Sequence, residues 1–279
     1  MIYLGLAILS SAMVSTFMRC SEGYVKNNMG MFFTNYIACA ALSLMFMGSQ
    51  PLFLWGPGIG VALGLGLLTG ILYLANFVLL EQNIKKNGVV LSATFMKLGV
   101  LIPTLMAIFV FRERPKIMQI LGVSLAIISI FIIHFEKEER GAATYKLLLI
   151  ILLICSGFAD STANIYDKLG QSNLKDAYLF YTFAAAALCA FALWIKEKQK
   201  ICRYDILCGI VIGIPNYLSA RFLLLALHQM KAVIVYPVYS VMTLVVISIV
   251  SLLFFKEHLS KKKVIAIGLI MVSLALINL

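Results

Sequence analysis

The sequence predicts an all-α membrane protein with ten transmembrane helices in two inverted five-helix repeats. Three observations predict it: a shortage of charge, a regular succession of long apolar stretches, and a corner motif that recurs at a fixed offset.

Of 279 residues, 62% are hydrophobic and 13% are charged, and the mean hydropathy is +0.99. Soluble domains carry about 25% charged residues. With half that share, the chain cannot hide its apolar surface from water, so lipid must be its main solvent. The formal net charge of +11 sits mostly in short runs between apolar stretches, where it keeps loops in water and sets orientation. Nucleic acid is excluded as a partner because no soluble basic face with aromatics is present. Cys20, Cys39, Cys155, Cys189, Cys202 and Cys208 form no CxxC pair and no metal-ligand spacing with His. They read as small packing residues, and neither a metal nor a cofactor is expected.

A spanning helix needs about 20 mainly apolar residues. Ten segments qualify, near 2–19, 29–47, 57–80, 88–111, 116–134, 145–164, 176–195, 205–227, 232–255 and 261–278. The first lacks the basic leader and cleavage site of a signal peptide and is read as a retained helix. The connections are short and polar. The longest, 136–144, separates a first repeat at 1–135 from a second at 145–279.

At an offset of 144, Tyr73-Leu74 falls on Tyr217-Leu218, Val89 on Val233, and Phe111-Arg112-Glu113 on Phe255-Lys256-Glu257. At an offset of 146, Ser15-Thr16 falls on Ser161-Thr162 and Gly122 on Gly268. Shared apolar residues say little, but the repeated Phe-basic-Glu corner is specific. Five helices per half is an odd number, so the second half enters the membrane in the opposite sense. Secondary transporters use that design.

Loops after odd-numbered segments hold fifteen Lys and Arg residues, and loops after even-numbered segments hold six. By the positive-inside rule this places both termini outside.

Ionisable groups inside spans are costly, about 2.5–3.5 kcal/mol at a helix centre, and default to function. Three occur. Lys97 lies roughly 13 Å along the fourth segment at 1.5 Å per residue. Arg221 lies in the eighth and Asp160 in the sixth. Each sits on a polar stripe at helical spacing: Thr94, Lys97 and Thr104; Gly213, Tyr217 and Arg221; Ser156, Asp160, Asn164 and Asp167. Thr69, Tyr73 and Asn76 form a fourth stripe, and Tyr236, Ser240 and Thr243 a fifth. Such stripes imply a shared polar cavity.

Lys97 and Arg221 are the expected anchors of an anionic group, with Tyr73, Asn76, Asn164, Tyr217, Tyr236 and Tyr239 as further substrate contacts. The competing reading is internal pairing with Asp160, which on this count leaves one base unpaired. Asp160 is alternatively a proton carrier. Pro103, Pro215 and Pro237 lie inside helices and are candidate hinges. Gly56, Gly60, Gly64, Gly66 and Gly70 let helices approach closely. Glu113 and Glu257 are expected to salt-bridge or cap neighbouring helices.

The corner Phe111-Arg112-Glu113-Arg114-Pro115 with Gly122, and Phe255-Lys256-Glu257-His258-Leu259 with Gly268, resembles the ten-helix EamA-type branch of the drug/metabolite transporter superfamily. Tyr3 to Leu9, Met18 to Tyr24, and Tyr236-Pro237-Val238-Tyr239-Ser240 onward are similar to the four-helix small multidrug resistance transporters. Those small pumps carry an essential membrane glutamate where Ser11 stands here, and Gly157 takes that place in the second repeat. The resemblance therefore does not extend to carboxylate-driven export of cations. It implies both termini in the cytoplasm, against the charge count. It also implies solute transport, and the basic residues of the phosphate-sugar translocators of this superfamily support an anion.

The expected function is secondary transport of a small polar metabolite, anionic or amino-acid-like, across a bacterial cytoplasmic membrane. The expected partners are a small-molecule substrate and the lipid bilayer. The oligomeric state is not legible, and a monomer is compatible with two fused repeats. Alternatives are a lipophilic-cation exporter, a membrane enzyme or lipid-handling protein, and a non-transporting scaffold. The sequence shows no His/Asp/Ser or metal-ligand cluster at a helix end to support enzyme chemistry.

Overall fold

A computed structural model describes residues 1–21, 23–48, 58–87, 89–134 and 145–254, with isolated residues between 265 and 276. Among the described residues every long element is α-helical: α1 (Ile2–Ser21), α2 (Asn28–Met47), α3 (Ile59–Asn87), α4 (Val89–Leu98), α5 (Leu101–Phe109), α6 (Ile117–His134), α7 (Lys146–Leu169), α8 (Lys175–Glu197), α9 (Arg203–Gln229) and α10 (Ala232–Phe254). Nine expected segments coincide with these helices. The linker 136–144, most of the tenth segment, Gly56 and the corner from Phe255 to Leu259 lie outside the described residues.

Seven of the described helices hold a stretch long and apolar enough to cross a bilayer, from 19 residues in α10 to 27 in α9. A 20-residue helix rises about 30 Å, the thickness of the hydrocarbon core. Their surfaces invert the soluble pattern. Ile2, Phe109, Ile117 and Phe254 are each more than three-quarters exposed, whereas Ser43, Ser161, Asn164 and Thr182 are buried. Lipid is the environment in which that distribution is stable.

The fourth expected segment is not continuous. It breaks at Gly99-Val100 into α4 and α5. Pro103 has no N–H to give the Gly99 carbonyl, which instead accepts from Ile102 N at 2.9 Å. Gly99 N and Val100 N likewise bond three residues back, to Met96 O and Lys97 O. By contrast, α9 and α10 run unbroken past Pro215 and Pro237.

The chain forms two compact units, Met1–Leu74 with Ile165–Ala226, and Ala75–Asn164 with Leu227–Leu279. Each draws on both sequence halves.

In the first unit α2 packs along α8. Gly66 and Gly70 are close-contact positions: a Cβ on Gly66 would lie 2.7 Å from Tyr181 Cβ, and one on Gly70 would run into the Thr182 carbonyl. Gly60 and Gly64 face open space, so the glycine stripe serves close packing only in its second part. Asp205 is fully buried and gathers three backbone N–H groups: Lys26 N at 2.8 Å and Asn27 N at 3.3 Å on Oδ1, and Cys202 N at 2.7 Å on Oδ2. Asn27 in turn caps α2, accepting from Gly30 N at 2.8 Å.

In the second unit α10 packs on α5 and α6, and α4 on α6. α7 crosses the α4–α5 break, where Ser156 Oγ donates to Met96 O at 3.0 Å. A Cβ on Gly157 would sit 2.6 Å from Gly99 O and 2.7 Å from Ile102 Cβ. The position that carries a carboxylate in the small multidrug pumps is therefore a helix-crossing glycine here. Glu113 caps α10, its two carboxylate oxygens accepting from Ala232 N at 3.3 Å and Val233 N at 3.1 Å. The corner thus supports α10, and Lys231 Nζ adds a bond to Arg114 O at 3.1 Å.

Candidate functional site

The expected site residues fall into two sets, one in each unit. In the first unit, α9 presents Tyr217 and Arg221 one turn apart on the same face. Arg221 Nη2 contacts Asp176 Oδ2 at 3.4 Å, and Arg221 Nη1 donates to the Tyr217 hydroxyl at 3.4 Å. The Tyr217 hydroxyl donates to Asp176 Oδ1, also at 3.4 Å. The guanidinium lies 4.1 Å from the centroid of the Phe46 ring, a cation–π contact from α2. Both charged side chains keep 22% of their surface exposed.

Asp176 corrects the charge count made from sequence. The second base is not left over, because Arg221 has its own acid in the first turn of α8. Its position at the very start of an apolar segment makes Asp176 look like an ordinary helix-start acid. The available signal was the run Lys175-Asp176-Ala177-Tyr178, which sets a charge pair directly on a membrane helix.

Around Tyr217 lies an aromatic set centred on Phe183. Its ring is 6.3 Å from Tyr217, 6.4 Å from Tyr73 and 6.4 Å from Tyr36. Tyr73 and Tyr217 are thus brought to one cluster, joined by a phenylalanine that the polar stripes did not include.

In the second unit Lys97 stands in the last turn of α4, directly before the break. A cation there meets the negative end of the helix dipole. Asp160 on α7 is its electrostatic partner. Tyr236 donates its hydroxyl to the Asp160 backbone carbonyl at 2.6 Å, fixing α10 to α7 beside that pair. Asn164, one turn beyond Asp160, is buried, and neither side-chain polar atom has a hydrogen-bond partner among the described residues. Asn76 Oδ1 and Thr243 Oγ1 are likewise buried without partners. Buried polar groups are normally satisfied, and orphaned ones mark strain or a place for water or ligand. Tyr239 stands half-buried on α10, three residues after Tyr236. The side chain of Thr94 lies outside the described residues.

The chain is similar to several proteins. The model of the EamA-like transporter family matches residues 147–279. An uncharacterized protein of Haemophilus influenzae is 27% identical over 236 residues, covering 83% of this chain and 74% of that protein. The uncharacterized membrane protein YvaE of Bacillus subtilis is 45% identical over 61 residues, 22% of this chain. That alignment spans about half of YvaE, 51%. A solved crystal structure matches 99% of this chain and 94% of its own with a TM-score of 0.75 at 13% identity, a likeness of fold alone.

Proposed function

We propose, from the match of residues 147–279 to the model of the EamA-like transporter family, that this chain is a transporter of that kind and carries a small polar anion or amino-acid-like metabolite. The chain is a multi-pass integral membrane protein, and on this reading a membrane transporter of that family. As a secondary transporter it exports or exchanges its substrate, driven by an ion or solute gradient. It works by alternating access between two opposed repeats of five helices. The recurring Phe111-Arg112-Glu113 and Phe255-Lys256-Glu257 corners support the repeat.

The observation that carries the reading is Arg221. A guanidinium has five N–H donors in a fixed fork that matches carboxylate and phosphate. Two of the five are engaged among the described residues, by Asp176 and Tyr217. A permanently charged group with open donors, set on a membrane helix, is otherwise an expense. Lys97 beside a broken helix adds support, since discontinuous helices form substrate sites in transporters. The Asn76 Oδ1 and the Asn164 amide, without partners among the described residues, fit a polar substrate better than a purely lipophilic one.

The test is flux of radiolabelled solute into proteoliposomes, with substrates chosen by a thermal-shift screen of metabolites. Saturable flux of a carboxylate or phosphate that falls in both Lys97→Ala and Arg221→Ala supports the reading. Stabilisation by lipophilic cations alone overturns it in favour of drug export.

A further inference from the structure

We infer that Asp176 is an internal stand-in for the oxyanion group of the substrate, holding Arg221 between substrates and yielding it when one arrives. The inference rests on the reading of Arg221 as the anion-binding cation, and it adds the residue that competes for it.

The geometry is that of an exchangeable pair. The strongest arginine–carboxylate pairs are frequently made through two parallel bonds of about 2.7–2.9 Å. Here one N–H of Arg221 meets one oxygen of Asp176 at 3.4 Å, and the other carboxylate oxygen is given to Tyr217. The guanidinium does not depend on Asp176 for its orientation, because Phe46 holds its plane and Tyr217 its Nη1 edge. The three remaining N–H donors have no partner among the described residues, leaving a second face of the fork for an incoming oxyanion.

Exchange leaves neither charge bare, which is the main obstacle to opening a buried pair. Asp176 sits in the first turn of α8, at the positive end of the helix, next to Lys175. Lys175 is within 4.0 Å of Asp167 on α7. The charged and titratable groups that face Asp176 are Arg221 and Tyr217 from α9, Tyr166 from α7, and Lys175 on its own helix. The aromatic ring that completes the wall is Phe46 of α2, over Arg221. A proton taken up by Asp176 removes the competitor. Anion affinity then rises as pH falls, and proton and anion are bound together.

The experiment is a sulfate titration of the purified full chain, read by thermal shift between about pH 5 and pH 8, where sulfate keeps a constant charge. Wild type is expected to bind about tenfold more tightly at the acid end. Asp176→Asn keeps the shape of the side chain and is expected to bind about tenfold more tightly than wild type at the alkaline end, without pH response. Asp176→Glu keeps the charge and must keep the pH response. Parallel titrations with acetate and methyl phosphate at the alkaline end separate carboxylate from phosphate as the preferred group.

A flat wild-type profile overturns the competition, and so does an Asp176→Asn variant that binds sulfate no more tightly than wild type. Should Asp176→Asn not fold, the wild-type profile and Asp176→Glu decide. If neither wild type nor any variant binds any of the three anions, the anion reading of Arg221 falls, and this inference falls with it.

Discussion

The two bases expected at the site, Arg221 in the first unit and Lys97 in the second, each face an acid, and the two pairs are built in opposite ways. In the first, an arginine is held edge-on by a tyrosine and an aspartate and flat-on by a phenyl ring, on a helix that runs unbroken. In the second, a lysine stands in the last turn of a ten-residue helix before a break, with its acid on a crossing helix and the Asn164 amide, without a partner among the described residues, one turn beyond that acid. Guanidinium is planar and directional, whereas ammonium is a compact point charge on a flexible stem. The pairs are not copies either: at the repeat offset Lys97 falls on Val241 and Arg221 on Phe77. The two charge sites therefore differ in kind: a directional, planar cation on a continuous helix and a point charge beside a helix break.

The comparison is broken most directly at Arg221. Arg221→Ala is expected to abolish saturable flux and to lower stability by about 1–2 kcal/mol, a buried-pair loss discounted for partial exposure. The double variant Arg221→Leu/Asp176→Leu should recover the stability but not the flux, as seen by melting and proteoliposome assays side by side. Recovery of flux would assign the pair to structure alone.

The next effect belongs to the α7 crossing. Gly157→Val places two methyl groups and a Cβ against Gly99 and Ile102, and an overpacked contact of this kind costs about 1–3 kcal/mol. The same substitution at Gly64, where nothing lies within 4 Å, should leave the melting temperature nearly unchanged.

A smaller effect concerns the corners. Glu113→Ala removes the acceptor of two N–H groups at the start of α10 and should cost about 1 kcal/mol, as lost helix caps do. Glu257 lies outside the described residues, so Glu257→Ala tests the repeat itself: an equal loss sharpens the case for two equivalent halves, and no loss weakens it.

The smallest effect is at Tyr217. Tyr217→Phe keeps the ring beside Phe183 and Phe46 and removes two long hydrogen bonds. A stability change of about 0.5–1 kcal/mol is expected in urea or thermal melts.

Most of the fold was legible because lipid imposes one rule on every span, a run of about 20 apolar residues. Eight of the ten segments needed nothing further, and the fourth appears as two helices. The break at Gly99-Val100 was signalled but under-read. Pro103 suggested a bend at its own position, whereas a proline disturbs the carbonyl four residues earlier, and a glycine stood there to give way. Within the site, the association of Tyr73 with Tyr217 was foreseen from stripes, but Phe183, the ring between them, carries no polar signal. Asp176 was missed for a different reason: a charge at a segment boundary has an innocent explanation, and only the fold shows which arginine it faces. The compact units could not be read at all. Their boundaries cut through α3, α7 and α9, and continuity of a helix says nothing about the neighbours of its two ends.

Asp205 carries a mechanical consequence. By taking N–H groups from the end of the α1–α2 connection, directly before α2, and from the residue before α9, one carboxylate staples two helix beginnings that are far apart in the chain. Labels attached beside Lys26 and Arg203 would therefore keep their separation throughout a transport cycle, giving spectroscopists a fixed ruler against which every moving helix can be measured.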